Sequence, residues 1–268
     1  MSRREAHQAK PRQESNTPGS QVVSLTARIE MLSYQTSFDI EKGTGNVPVS
    51  VSLFPQSGFQ AALESMRKVF KSSLCFSDLV AVAKQGARLG GIVVPKAMVG
   101  LATVSSILVK AVLLKAGIPM VAKFEGILQI KNRRPARFVD LIEYTGSSLD
   151  PAEIFIAGKM TRVSPAVKKG NGSVLASFWE LPGLARPEVE LAIDRLKSWG
   201  VKGLVVLGRM SEPVCEMPVM AYRIGVILPD GLNPVAAAVE SGIEAVNHPM
   251  SGLINVSRLK SLDELVGG

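Results

Sequence analysis

Alternation marks the first strand. In VPVSVSLF (Val47 to Phe54) apolar and polar residues take turns and the apolar ones are largely β-branched, which predicts a strand. The next segment, FQAALESMRKVF, places Ala62, Leu63, Met66 and Phe70 at helical spacing and predicts a helix over 59–70. DLVAVAK (78–84) and LGGIVV (89–94) predict the second and third strands. LATVSSILVKAVLLKAG (101–117) predicts one long helix, stopped by Gly117 and Pro119. EGILQI (125–130) predicts a fourth strand.

The second half repeats this order. SVLASFW (173–179) predicts a strand and PEVELAIDRLKSWG (187–200) a helix. GLVVLG (203–208) and RIGVIL (223–228) predict two strands, and NPVAAAVESG (233–242) a helix with Asn233 as its N-cap and Pro234 at its first position. SGLINV (251–256) predicts the last strand. A single offset of 127 residues separates Gly43 from Gly170 and Pro55 from Pro182. SLTARIEML before the first copy and SLDPAEIF before the second each predict a leading helix, the latter with Asp150 as N-cap.

Two β-α-β-β-α-β units follow, which is the ferredoxin-like order. The fold class is therefore α+β: duplicated ferredoxin-like (βαββαβ) units with antiparallel sheets. Gly43 is expected to match Gly170, and Gly126 to match Gly252. The expected division is a polar, disordered tail over 1–23, a first repeat over 24–135, a second over 136–257 and a C-terminal tail over 258–268. The sheet face left bare by each pair of helices needs a partner, either the other repeat or a second chain.

Composition narrows the function classes. With 31 Lys and Arg against 23 Asp and Glu, the net charge is +8, which suits nucleic acid, an anionic metabolite or an acidic partner alike. Cys75 and Cys215 are the only cysteines, which fits a reducing compartment and not a disulfide framework. The first twenty residues hold no apolar run, so no signal peptide is predicted there. AMVGLATVSSILV (97–109) is too short to cross a bilayer.

Reactive groups are not concentrated anywhere in the chain. No zinc spacing, HExxH, P-loop or dinucleotide fingerprint occurs, so no catalytic residue, metal site or cofactor is assigned. GTGNV reads as a glycine turn before a strand. Two strand-to-helix loops, one before each second helix, remain. Thr103, Ser105, Ser106 and Lys110 stand at the first, and Asn233 at the second. They are either ordinary caps and packing or a site where helix-start N–H groups and hydroxyls meet an anion. His248, before a proline in VNHPMSGL, either lines a pocket or is structural. KNRRPAR gathers Lys131, Arg133, Arg134 and Arg137 at a hairpin tip, where solvent, a protein or nucleic acid could meet them.

Several stretches together resemble the NrpR regulatory domain of archaeal nitrogen-assimilation repressors. They are GLATVSSILVKAVLLKAGIPMVAKFEGILQI, RFVDLIEYTGSSLDPAEIFIAGKMTRV and GLNPVAAAVESGIEAVNHPMSGLINV, with TGSSLDPAEIFI and HPMSGL the most specific. The resemblance implies a cytoplasmic sensor of 2-oxoglutarate or a similar dicarboxylate, in a form lacking the N-terminal winged helix. It implies a homologous partner that carries the DNA-binding domain, homo- or hetero-oligomers, and no specific DNA binding alone. An enzyme on a duplicated scaffold and a purely structural dimerisation module are the alternatives.

Overall fold

α2 (Phe59–Phe70) forms where its apolar spacing predicts, and that stripe is its buried face: Ala62, Met66 and Val69 are at most 1% exposed. The computed structural model describes residues 23–203 and 206–266. Around α2, the first half runs α1 (Leu25–Gln35), β1 (Asn46–Pro55), β2 (Leu79–Lys84), β3 (Arg88–Leu89), β4 (Ile92–Val93), β5 (Met98–Val104), α3 (Ile107–Lys115) and β6 (Val121–Lys131). The second half runs β7 (Arg134–Glu143), α4 (Pro151–Ala157), α5 (Val163–Lys169), β8 (Gly172–Pro182), α6 (Arg186–Ser198), β9 (Val206–Leu207), β10 (Arg223–Pro229), α7 (Asn233–Glu240) and β11 (Val246–Asn255).

Several expectations change. The long helix over 101–117 is instead β5 followed by α3, with Ser105 and Ser106 at the junction. Valines and Thr103 favour the strand, and Gly100 explains the fit: a Cβ there would lie 2.8 Å from Val94 Cγ2 and 3.0 Å from Leu89 Cδ1. Leu89 and Val94 belong to the predicted third strand, which is a β3–β4 hairpin folded over β5. α5 was not predicted. Its N-terminus is capped from a distance by Glu240, whose carboxylate accepts from Thr161 Oγ1 (2.8 Å), Val163 N (2.6 Å) and Ser164 N (3.0 Å). Residues 1–22, Leu204, Val205, Gly267 and Gly268, on which the N-terminal tail and part of the 203–208 strand were expected, lie outside the described residues. Within the expected C-terminal tail, β12 (Lys260–Ser261) pairs with β2 and leads into α8 (Leu262–Val266).

The two large sheets are antiparallel, with orders β11-β1-β5-β2-β12 and β7-β6-β8-β10-β9. Each takes its fourth ferredoxin-like strand from the other half of the chain. β6 closes the second half and lies beside β8, from Val121 opposite Glu180 to Ile130 opposite Gly172, with one irregularity between Ala122 and Phe124. β11 returns to the first half beside β1, from Asn46 opposite Asn255 to Leu53 opposite Val246. The sheets therefore do not divide at residue 135 as the sequence halves do. The helices give the reason. α3 packs on α6 of the other half and α7 on α2, so the strand after each helix emerges beside the other half's sheet. Lys110 secures one crossing: its buried Nζ donates to Met120 O (2.6 Å) and pairs with Glu30 Oε1 (3.0 Å).

Both faces of the first sheet are covered. On β5, Val99 and Leu101 join one core, with α2, α7 and the second sheet's Leu175 and Phe178. Ala102 and Val104 join the other, with α1, α3 and Trp179. The face that each unit lacked a partner for is thus filled within the chain.

Strand exchange predicts that neither half folds alone. Residues 24–132, expressed without the remainder, should show no cooperative urea transition by far-ultraviolet circular dichroism, and co-expression with 133–268 should restore one. A cooperative transition in the isolated half would contradict the exchanged topology.

Candidate functional site

The two strand-to-helix loops meet at a small polar cavity between the lobes. Ser105 and Ser106 reach it from the β5–α3 junction, and Asp230 from the β10–α7 loop. Gly231 lets that loop close, since a Cβ would run into the carbonyl oxygen of Val104. Glu125 of β6, Tyr144 after β7 and Asp150 at the start of α4 complete the polar wall, with Ser50 of β1. Ile29, Ile107, Trp179, Pro249 and Met250 form the apolar remainder. The space inside is about 20 Å³ for water-sized centres, which is room for roughly one water.

The cavity follows the internal repeat. Ser50 and Ser177 stand one repeat apart. Ser177 lies opposite Glu125 in the sheet, and its Oγ accepts from Trp179 Nε1 at 2.7 Å. Ser106 Oγ stands 3.4 Å from Ser177 Oγ. Ser105 Oγ accepts from Ile107 N at 3.4 Å, a weak cap on α3. The exchanged strands carry both Glu125 and Pro249–Met250 into the site.

Three carboxyls define its electrostatics. Glu125 is 3% exposed and Asp150 is 6% exposed, while Asp230 keeps some contact with solvent. Burial pushes Glu125 well above the usual carboxylate range, with Asp230 and Asp150 adding repulsion. Asp150 is raised to about 7, by burial first and then by Asp230, against the pull of Ala152 N–H and the Arg28 guanidinium. Asp230 is raised by burial, while its Oδ1 accepts from Leu232 N at 2.6 Å. The Tyr144 hydroxyl, 3.5 Å from Glu125 Oε2, is itself pushed up by burial and the acidic neighbours.

The structure brings together only some of the candidate residues. Ser105 and Ser106 line the cavity. Thr103 lies just outside it, with a buried Oγ1 that has no hydrogen-bond partner. Lys110 is engaged at the α3–β6 crossing. Asn233 is not the N-cap, a position held by Leu232. Its amide instead accepts from Leu175 N (2.8 Å) and donates to Leu74 O (2.8 Å) and Leu175 O (2.9 Å), so it ties α7 to β8. His248 lies in β11, half-buried opposite Val51, and does not line the cavity. The basic residues 131–137 do form a hairpin tip, turned through Asn132 and Arg133 at positive φ. Cys75 is buried and Cys215 half-buried, and both are free thiols. Sequence reading missed Glu125, Tyr144, Asp150 and Asp230 as a group. A glutamate inside the apolar run of β6 was the one available signal.

Two interlocked ferredoxin-like lobes around a small polar cavity define an α+β domain, and among the described residues no group of three or more His, Cys, Asp or Glu side chains is placed to hold a metal ion. Residues 22–261 match the model of the NrpR regulatory domains NRD1 and 2, and the chain belongs to that family. It is 31% identical over 238 residues to the global nitrogen regulator NrpRI of Methanosarcina mazei, covering 89% of this chain and 73% of that protein. It is 25% identical over 231 residues to the global nitrogen regulator NrpR of Methanocaldococcus jannaschii, covering 86% of this chain but 38% of that protein. A solved nitrogen repressor-like protein from Methanococcus jannaschii has the same fold, with a TM-score of 0.77 over 90% of this chain and 100% of that one at 22% identity. Among the described residues no helix is long and apolar enough to cross a membrane.

The acidic wall predicts a pH dependence. Asp150 has a folded pKa above its unfolded value, so the stability linked to its proton is present at low pH and is lost as pH rises through about 7. Asp150→Asn keeps a capping side chain and removes the charge. The variant should lose less stability than the parent between about pH 5 and pH 8, by roughly 1–3 kcal/mol in urea titrations. Equal slopes would show that Asp150 is ionised throughout.

Proposed function

We propose that this chain is the ligand-responsive regulatory part of a nitrogen-assimilation repressor system, that it responds to 2-oxoglutarate or a similar dicarboxylate, and that it acts through a partner carrying a DNA-binding domain. The observation that carries this is the family match over 22–261, together with relatives named as nitrogen regulators. A regulatory family favours a non-enzymatic role, and a cytoplasmic location goes with it.

Ser105 and Ser106 are the best-placed groups for one ligand carboxylate, beside the first turn of α3. A dicarboxylate is far larger than one water, so it enters only if the β5–α3 and β10–α7 loops part. Ligand binding then changes the spacing of the lobes, which is the kind of motion a partner domain can read. Glu125, Asp150 and Asp230 oppose a dianion when ionised and accept it when protonated. Calorimetric titration with 2-oxoglutarate should therefore give tighter binding at about pH 6 than at about pH 8. Affinity should fall about tenfold or more in a Ser105→Ala, Ser106→Ala double variant. Unchanged affinity in that variant would place the ligand elsewhere.

The same reading assigns operator recognition to the partner. Specific readout needs side chains set on base edges in a groove. The net charge of +8 and the exposed 131–137 tip support only weak, salt-sensitive association. In a competition shift assay at physiological salt, the purified chain should not retain a promoter fragment specifically. Specific retention without a partner would overturn this assignment.

A further inference from the structure

Glu125 and Asp230 meet in the cavity within hydrogen-bonding reach of one another, and two carboxyls can pair there only through a shared proton or a shared cation. Glu125 Oε1 is buried and has no hydrogen-bond partner. Its other oxygen accepts from the Tyr144 hydroxyl at 3.5 Å. Asp230 spends Oδ1 on Leu232 N, and Asp150 Oδ1 accepts from Ala152 N at 2.9 Å. The nearest positive group is Arg28, whose guanidinium donates to Pro249 O (3.2 Å) and Met250 O (3.3 Å) on the rim. Lys110 points to Met120 O and Glu30, away from the carboxyls. Of the three carboxyls, Asp150 is the one that this guanidinium stabilises. An orphaned buried carboxylate oxygen is costly, and it needs a proton or a cation.

We propose that the cavity is a site for a single monovalent cation of water size, potassium or ammonium, held between Glu125 and Asp230 with the hydroxyls of Ser105, Ser106 and Ser50 nearby. Size selects the class. The space fits one water-sized centre, and both ions have nearly the radius of water. A smaller, harder divalent ion needs a tight, converging ligand set. Among the described residues no group of three acidic, histidine or cysteine side chains converges in that way. Hard oxygen donors suit both candidate ions. The ion bridges β6, which came from the first half, to the β10–α7 loop of the second, so its occupancy tightens the junction between lobes. The proposal does not rest on the 2-oxoglutarate reading, and its test contains no 2-oxoglutarate.

The experiment is thermal unfolding of the whole chain, freed of small ions and held at mildly alkaline pH, in equal concentrations of potassium, ammonium, sodium or tetramethylammonium chloride. Tetramethylammonium carries the charge but cannot enter. Potassium or ammonium should raise Tm saturably above the tetramethylammonium value, by on the order of 2–5 °C. The two arms show which ion binds better. Glu125→Gln should abolish the difference between salts. If that variant does not fold, Asp230→Asn, whose side-chain oxygen can keep the bond to Leu232 N, carries the test instead. Equal Tm values in all four salts would overturn the proposal and leave a shared proton between the two carboxyls. A potassium or ammonium increment that survives in the folded variants would also overturn it, by placing the ion elsewhere.

Discussion

The pairing of β6 with β8 and of β11 with β1 is the constraint on which the rest depends. A ferredoxin-like unit that keeps its own fourth strand is a closed module with one bare sheet face. Here each unit gives that strand away, and the backbone hydrogen bonds of the ladder join the halves. Main-chain pairing cannot be relinquished cheaply in a buried sheet, because each freed N–H and C=O must find another partner. The lobes are therefore joined by their sheets as well as by side-chain packing. Helix contacts across the halves, α2 with α7 and α3 with α6, fill the space between and direct the exchanged strands.

The exchange also builds the cavity. Glu125 arrives on β6 and Met250 on β11, both travelling to the opposite sheet. Ser50 and Ser177 mark the two repeat-related positions, and the junctions before α3 and α7 close over them. A polar pocket at this point looks expensive, since burial raises Glu125, Asp150 and Asp230, with repulsion from Asp230 added at the first two. An apolar core would be more stable here. A group whose charge is costly can be switched by a proton, an ion or a ligand at modest free energy.

Much of the fold was legible in the chain. β1, α2, β8, α6 and α7 lie within a few residues of the segments their periodicity predicts, and Ser24 and Asp150 cap α1 and α4 with their side chains. The β5–α3 boundary was not legible. From Met98 to Leu114 the sequence is almost unbroken in its apolarity, and both elements are buried on all sides, so neither a period of two nor one of 3.6 shows. The exchange was not legible for a different reason. Alternation tells which face of a strand is buried and says nothing about which neighbour it pairs with. That choice is made by the helix before the strand, through contacts distant in sequence.

The site was less legible than the fold, and for a related reason. Its hydroxyls, Ser105 and Ser106, sit next to each other and invited attention. Its carboxyls are scattered over Glu125, Asp150 and Asp230, each on a segment that reads as ordinary structure. Asp150 looks like a helix cap and is one. Asp230 looks like a turn residue and is one, by its bond to Leu232 N. Asp230 also meets Glu125 in the cavity, a contact that its turn role gives no sign of. The converse error is also informative. Lys110 and Asn233 looked like ligand groups because they are polar residues near helix starts, but Lys110 is consumed in fixing the chain between α3 and β6, and Asn233 in tying α7 to Leu74 and β8. In an interlocked duplication, polar residues near the junction serve first to secure the crossing. Only those whose atoms the crossing leaves unpaired, Glu125 foremost, remain available for a ligand.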